Sequence, residues 1–210
     1  MDGIRLLLEQ PDRTTLKGRR DLALLSLMYD TGARVQEVID LTPAALHLDK
    51  PTTIRVTGKG NKTRIIPLLE GQIKILGSYL SENNLTKPYA GSYPLFYNSR
   101  KEKFTRAGIT HILLKYANMA RQANQHLIPD KISCHVIRHS KAMHLLQAGI
   151  NLIYIRDILG HVSVETTEIY ARADSKQKRE ALEKAYADVV NKEEPVWQEN
   201  KGLLSWLKSF

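Results

Sequence analysis

The stretch Thr52-Thr53-Ile54-Arg55-Val56-Thr57-Gly58-Lys59-Gly60-Asn61-Lys62-Thr63-Arg64-Ile65-Ile66-Pro67-Leu68 reads unlike its surroundings. Residues 52–58 and 63–68 are rich in β-branched side chains, which suit a pleated, half-buried surface. Between them, Lys59-Gly60-Asn61-Lys62 is a turn signal. A β-hairpin is expected here, with 45–48 as a candidate third strand.

On either side the period is helical. Residues 2–9 form a short helix stopped by Pro11. A longer helix is expected over 15–31, with Leu22, Leu25, Met28 and Tyr29 on one face and Gly32 as its stop. Another short one spans 34–41, ending before Pro43. After the hairpin, helices are expected over 70–81, from the Thr105 cap to Ala123, from the Ser133 cap to Gly149, and over 151–159 before Gly160. Ser163 caps a short helix, and Asp174 caps the last clear one, to about Val190. The expected class is mainly α with a small antiparallel β-sheet.

The sequence has 210 residues, enough for one core without disulfide or metal staples. Its 31 Lys and Arg outnumber 22 Asp and Glu, and the net charge of +9 points to a polyanionic partner, nucleic acid first. The longest apolar runs are a few residues, so no membrane span is expected. The opening MDGIRLLLEQ lacks the pattern of a secretory signal. A single cysteine, Cys134, excludes an intramolecular disulfide framework and a Cys-rich zinc site, which fits a reducing cytoplasm.

The densest polar cluster is His135-Val136-Ile137-Arg138-His139. On a helix, His135, Arg138 and His139 share a face, which is costly to bury without an anion. A metal pair at His135 and His139 would want Glu after the first histidine, and Val136 stands there. Taken singly, each candidate has a plain structural reading. His161 could satisfy helix-end carbonyls, Tyr170 could be a core tyrosine, and Arg34 could pair with Glu37.

Order and spacing argue otherwise. The segments Thr31-Gly32-Ala33-Arg34-Val35-Gln36-Glu37-Val38, Val56-Thr57-Gly58-Lys59-Gly60-Asn61-Lys62-Thr63-Arg64, Ser133-Cys134-His135-Val136-Ile137-Arg138-His139, Leu159-Gly160-His161 and Thr166-Thr167-Glu168-Ile169-Tyr170 occur in that order. Together they resemble the catalytic domain of the tyrosine recombinases, or phage integrase family, especially its Xer-like bacterial branch. The resemblance covers about Ile4 to Val190.

The resemblance implies a site-specific DNA recombinase that uses neither metal nor ATP. Arg34 and Arg138 would grip the scissile phosphate, and Lys59 would protonate the leaving oxygen. His135 would be an acid/base group, His161 a hydrogen-bond donor to phosphate, and Tyr170 the nucleophile. Glu37 and His139 match accessory positions. Lys62, Arg64, Lys101, Lys103, Arg106, Lys115, Arg121 and Lys141 are candidate contacts to the DNA backbone, each with a solvated surface as its rival reading. The mixed charges of 176–184 read as a solvated helix face.

The expected domains are a catalytic unit, 1–191, and a hinge plus amphipathic helix, 192–210. The hinge is Glu193-Glu194-Pro195, and the helix carries Leu203, Leu204, Trp206, Leu207 and Phe210. The resemblance implies that this helix is exchanged between protomers in a tetramer on double-stranded DNA; packing on its own chain is the rival reading. The family's N-terminal core-binding domain is expected to be absent. This follows if the chain is part of a longer protein, the favoured reading, or a minimal subtype like the fimbrial invertases. The implied location is the bacterial cytoplasm, at the nucleoid. Two other activities stay open: a type IB topoisomerase-like strand transferase, and a non-catalytic DNA-binding accessory protein.

Overall fold

The structure is a computed structural model, and it describes residues 1–161 and Thr167. Helix α1 is Asp2–Glu9, α2 is Leu16–Thr31, α3 is Val35–Ile39 and α4 is Glu70–Glu82. Strands β1 (Leu46–His47), β2 (Thr53–Thr57) and β3 (Thr63–Pro67) stand between α3 and α4. Helices α5 (Arg106–Ala123), α6 (Cys134–Gln147) and α7 (Leu152–Leu159) follow. The class is mainly helical with one small antiparallel sheet, as expected. The readings placed on Ser163, the 174–190 helix, the hinge and the tail lie outside the described residues.

Helix α2 is the centre of the core. Thr15 caps it by accepting from the Gly18 N–H at 3.0 Å, and Gly32 closes it in the left-handed region at φ 56°. Leu22, Ala23, Leu24, Leu25, Leu27 and Met28 are all buried, so the helix is covered nearly all round rather than on one face. Helices α4 and α6 pack against it, while α5 packs against α1, α3 and α6. Burying each large aliphatic side chain contributes about 1.5–3 kcal/mol. A charge in this interior, Asp21, is fully buried and satisfied. It accepts from Arg20 Nη2 at 2.7 Å and from the Tyr116 hydroxyl at 2.9 Å.

The sheet runs in the order β1-β2-β3, with Ile54 opposite Ile66 and Val56 opposite Arg64. Ile54, Val56 and Ile66 face the core, whereas Arg55, Thr57 and Ile65 face out. Strand β1 is two residues long because Pro43–Ala45 winds into a 3-10 turn just before it. The hairpin tip is likewise a 3-10 turn, Lys59–Asn61, with Gly60 at φ 73° and Asn61 at φ 56°. A smaller cluster of Ala142, Leu146, Ile155 and Leu159 fastens α7 onto α6. Among the described residues, no helix is long and apolar enough to cross a membrane.

Candidate active site

The hairpin tip, the start of α3 and the end of α7 converge on one cleft of about 890 Å³. Arg34, Lys59 and His161 line it together, although they are widely separated in the chain. Six cationic side chains on its wall (Arg34, Lys59, Lys62, Arg64, Arg106 and Arg156) face three carboxylates, Glu37, Asp40 and Asp157. The imbalance suits an anionic ligand.

Arg34 stands at the N-cap of α3 in extended backbone, φ −69° and ψ 149°, so the helix starts one residue later than the sequence suggests. Glu37, three residues on, is 6% exposed and orients it twice. Its Oε2 accepts the Arg34 backbone N–H at 2.8 Å, and its Oε1 accepts Arg34 Nη1 at 2.9 Å. The first of these is the N3 half of a capping box. Burial pushes the Glu37 carboxyl up. The hydrogen bond from Arg64 and those from Arg34 outweigh it and leave the group below its usual range. Gly58 leaves room for this carboxylate, since a Cβ there would lie 2.7 Å from Glu37 Oε1.

Arg138 is buried on α6 at 3% exposure. It donates from Nη1 to the Gly32 carbonyl at 2.6 Å and from Nη2 to the Leu159 carbonyl at 2.7 Å. Its guanidinium therefore joins the end of α2, next to Arg34, to the turn that carries His161. His161 follows Gly160, which sits at φ 67°. The His161 Nδ1 lies 2.9 Å from the hydroxyl of Thr167, which is fully buried. Burial, then Arg138, Arg34, Arg64 and His135, push the His161 ring down to about 4. At neutral pH the ring carries no charge.

His135 and His139 are exposed on successive turns of α6 and are not among the residues lining the cleft. Burial and then His135 lower His139. Among the described residues, no group of three His, Cys, Asp or Glu side chains is placed to hold a metal ion. Tyr170 lies outside the described residues.

The expected DNA contacts divide. Lys62 and Arg106 stand on the cleft wall, Arg106 with its Nε 2.8 Å from Gln36 Oε1. Lys103 pairs with Asp40 at 3.2 Å. Lys101 and Lys115 lie over the rings of Tyr97 and Tyr116, at 4.3 and 4.6 Å from the ring centres. Both are cation–π arrangements. Three others have internal partners that give their cations another task. Arg121 donates to Asn118 Oδ1 at 2.7 Å and to the Asp130 carbonyl at 2.8 Å, bracing the loop after α5. Lys141 is tucked over the Tyr29 ring, 3.8 Å from Asp30, and burial lowers it. Arg64 donates from Nη2 to Glu37 Oε2 at 2.7 Å and from Nε to the Ile158 carbonyl at 2.8 Å.

Two of these placements had a signal in the sequence. Arg64 has the parity of Ile66, so strand alternation alone turns it inward. Thr167 is a small hydroxyl residue three before Tyr170, six after His161. Arg156 and Asp157, which also reach the cleft, have no sequence pattern that separates them from ordinary helix-surface charges.

The chain belongs to the phage integrase family, whose model matches residues 2–177. It resembles the tyrosine recombinase XerD of Xanthomonas campestris pv. campestris, with 37% identity over 174 residues, 80% of this chain and 52% of that one. Among solved structures it resembles the XerH site-specific recombinase in a post-cleavage complex with its palindromic difH substrate. The TM-score is 0.72 at 28% identity, covering 87% of this chain and 51% of that one. The XerA recombinase gives 0.71 at 30% identity, with 88% and 63% covered. The fold is thus that of a tyrosine recombinase catalytic domain. The chain spans about half the length of the curated relatives it matches.

Proposed function

We propose that the chain is the catalytic part of a site-specific DNA recombinase, which cleaves and rejoins strands through a 3′-phosphotyrosyl intermediate without metal or ATP. One observation carries the reading: Arg34, Lys59 and His161 face one cleft, and Arg138 is tied to the turn beside it.

In this mechanism the Tyr170 oxygen attacks the scissile phosphorus and its proton passes to a base, the role given to His135. The bond to the 5′-oxygen breaks, and that oxygen takes a proton from Lys59 on the exposed hairpin tip. A phenol titrates at about 10, so the nucleophile depends on a cationic site. Arg34 and Arg138 supply forked donors that suit phosphate oxygens, each charge-assisted bond contributing about 1.5–3 kcal/mol. In the proposed role His161 donates from Nε2 to phosphate, which requires the tautomer whose Nδ1 accepts from the Thr167 hydroxyl, 2.9 Å away. The phosphotyrosyl bond conserves the energy of the broken ester. A 5′-hydroxyl from a partner strand can then attack it, freeing Tyr170.

The partner is double-stranded DNA, bound in a tetramer, with the 192–210 segment exchanged between protomers. The XerH structure holds its difH substrate, which supports the DNA partner. The test is covalent trapping on a nicked duplex in EDTA. A denaturation-resistant adduct that is lost in Tyr170→Phe supports the reading. An adduct that persists in Tyr170→Phe, or one that needs a divalent metal, overturns it.

A further inference from the structure

We propose that Arg64 is a positioning residue that sets Arg34 and His161 at a fixed distance across the cleft. The inference rests on the recombinase reading above. Arg64 leaves the inner face of β3 opposite Val56, where an apolar side chain is the ordinary occupant. Its side chain is 10% exposed, and that of Glu37 is 4% exposed. The two branches of its fork do different work. Nη2 reaches Glu37 Oε2, and Glu37 holds both the backbone and the guanidinium of Arg34. Nε reaches the Ile158 carbonyl, three residues before His161. One rigid, planar group therefore spans the gap between the two ligating residues.

The surroundings are shaped for that fork. A Cβ on Gly160 would lie 2.9 Å from Arg64 Nη1 and 3.2 Å from its Cζ, so the turn before His161 packs directly on the guanidinium. A lysine offers a single ammonium and cannot reach both acceptors. Arg64 also belongs to the set of charges around His161, with Arg138 from α6, Arg34 from the start of α3, and His135. Its removal therefore changes the aim of the ring and its titration together.

The test uses Arg64→Met and Arg64→Lys in the whole chain. It has three readouts: the rate of adduct formation, DNA affinity as a function of salt, and the His161 ring titration by NMR. Positioning predicts cleavage slower by on the order of 10²-fold in both variants, with DNA affinity and its salt slope unchanged. It also predicts that the His161 midpoint rises by roughly half a pH unit or more in Arg64→Met. Should that variant fail to fold, Arg64→Lys, which keeps a cation beside Glu37, carries the kinetic arm.

Cleavage at the wild-type rate with His161 unmoved would reduce Arg64 to a structural ion pair. A salt slope smaller by about one, with affinity and cleavage falling together, would make it a phosphate contact. Absence of any adduct from the wild-type chain bears on the recombinase reading. The NMR arm still decides the positioning role.

Discussion

Arg138 donates to the Leu159 carbonyl at 2.7 Å, so the helix that carries this guanidinium also holds the turn that presents His161. A group proposed to grip phosphate is thereby part of the scaffold, and its replacement has two measurable effects. Arg138→Lys keeps the charge but cannot serve both the Gly32 and Leu159 carbonyls. The expected loss of stability is about 1–3 kcal/mol, the cost of a buried acceptor left unpaired. Urea unfolding checks this, and adduct formation should fall by on the order of 10²-fold or more.

Acidification should destabilise the protein between about pH 6.5 and about pH 4. His161 is held down to about 4 in the folded chain, against about 6.5 for an unfolded histidine. In that window the unfolded state binds the extra proton, so stability rises with pH and is lost as pH falls. Burial lowers His139 and His144 too, which adds in the same direction. Urea midpoints measured from about pH 7.5 down to about pH 4.5 should fall, and His161→Gln should flatten that slope. A slope of the opposite sign would contradict the picture.

The pair of Glu37 and Arg64 is almost wholly out of water. Glu37→Ala leaves the Arg64 cation buried without its carboxylate, at an expected cost of about 3–5 kcal/mol. Thermal or urea unfolding measures it. A loss below about 1 kcal/mol would mean that water replaces the carboxylate at little cost.

Gly160 and Gly60 share a positive φ but not an environment. Gly160→Ala meets the Arg64 guanidinium, whereas a Cβ on Gly60 meets nothing within 4 Å. Both variants carry the left-handed backbone penalty of about 1–2 kcal/mol. Only Gly160→Ala is expected to slow cleavage as well, because it displaces the turn under His161. Parallel stability and cleavage measurements on the two separate these effects.

Lys59 is exposed on the hairpin tip. Lys59→Met should shift stability by less than about 0.5 kcal/mol while strongly slowing cleavage. A substrate with sulfur in place of the 5′-bridging oxygen should restore much of the rate. A thiol titrates at about 8.5, so the departing thiolate needs no proton donor. Failure of sulfur to rescue would remove Lys59 from the acid role.

Much of this was legible in the residues. The switch from a helical to a β period at Thr52 marked the hairpin, and the caps at Thr105 and Ser133 marked two helix starts where they occur. Helix α2 was harder. Leu24 and Leu27 lie off the expected face, yet both are fully buried in a helix against which α4 and α6 both pack. Arg64 was misleading for a different reason. A charge in a basic stretch suggests DNA; strand parity turns Arg64 inward, but its partners there, Glu37 and the Ile158 carbonyl, are not marked by any local pattern. No local pattern carries information about a contact across 94 positions.

The two guanidiniums of Arg64 and Arg138 end on adjacent carbonyls, those of Ile158 and Leu159. Both tethers let go together if the last turn of α7 opens. A single local fluctuation would then withdraw His161 and loosen Arg34 in one stroke. In the recombinase proposed above, the site is therefore assembled only while four distant parts of the sequence are clasped: residues 32–37, Arg64, Arg138 and 158–161.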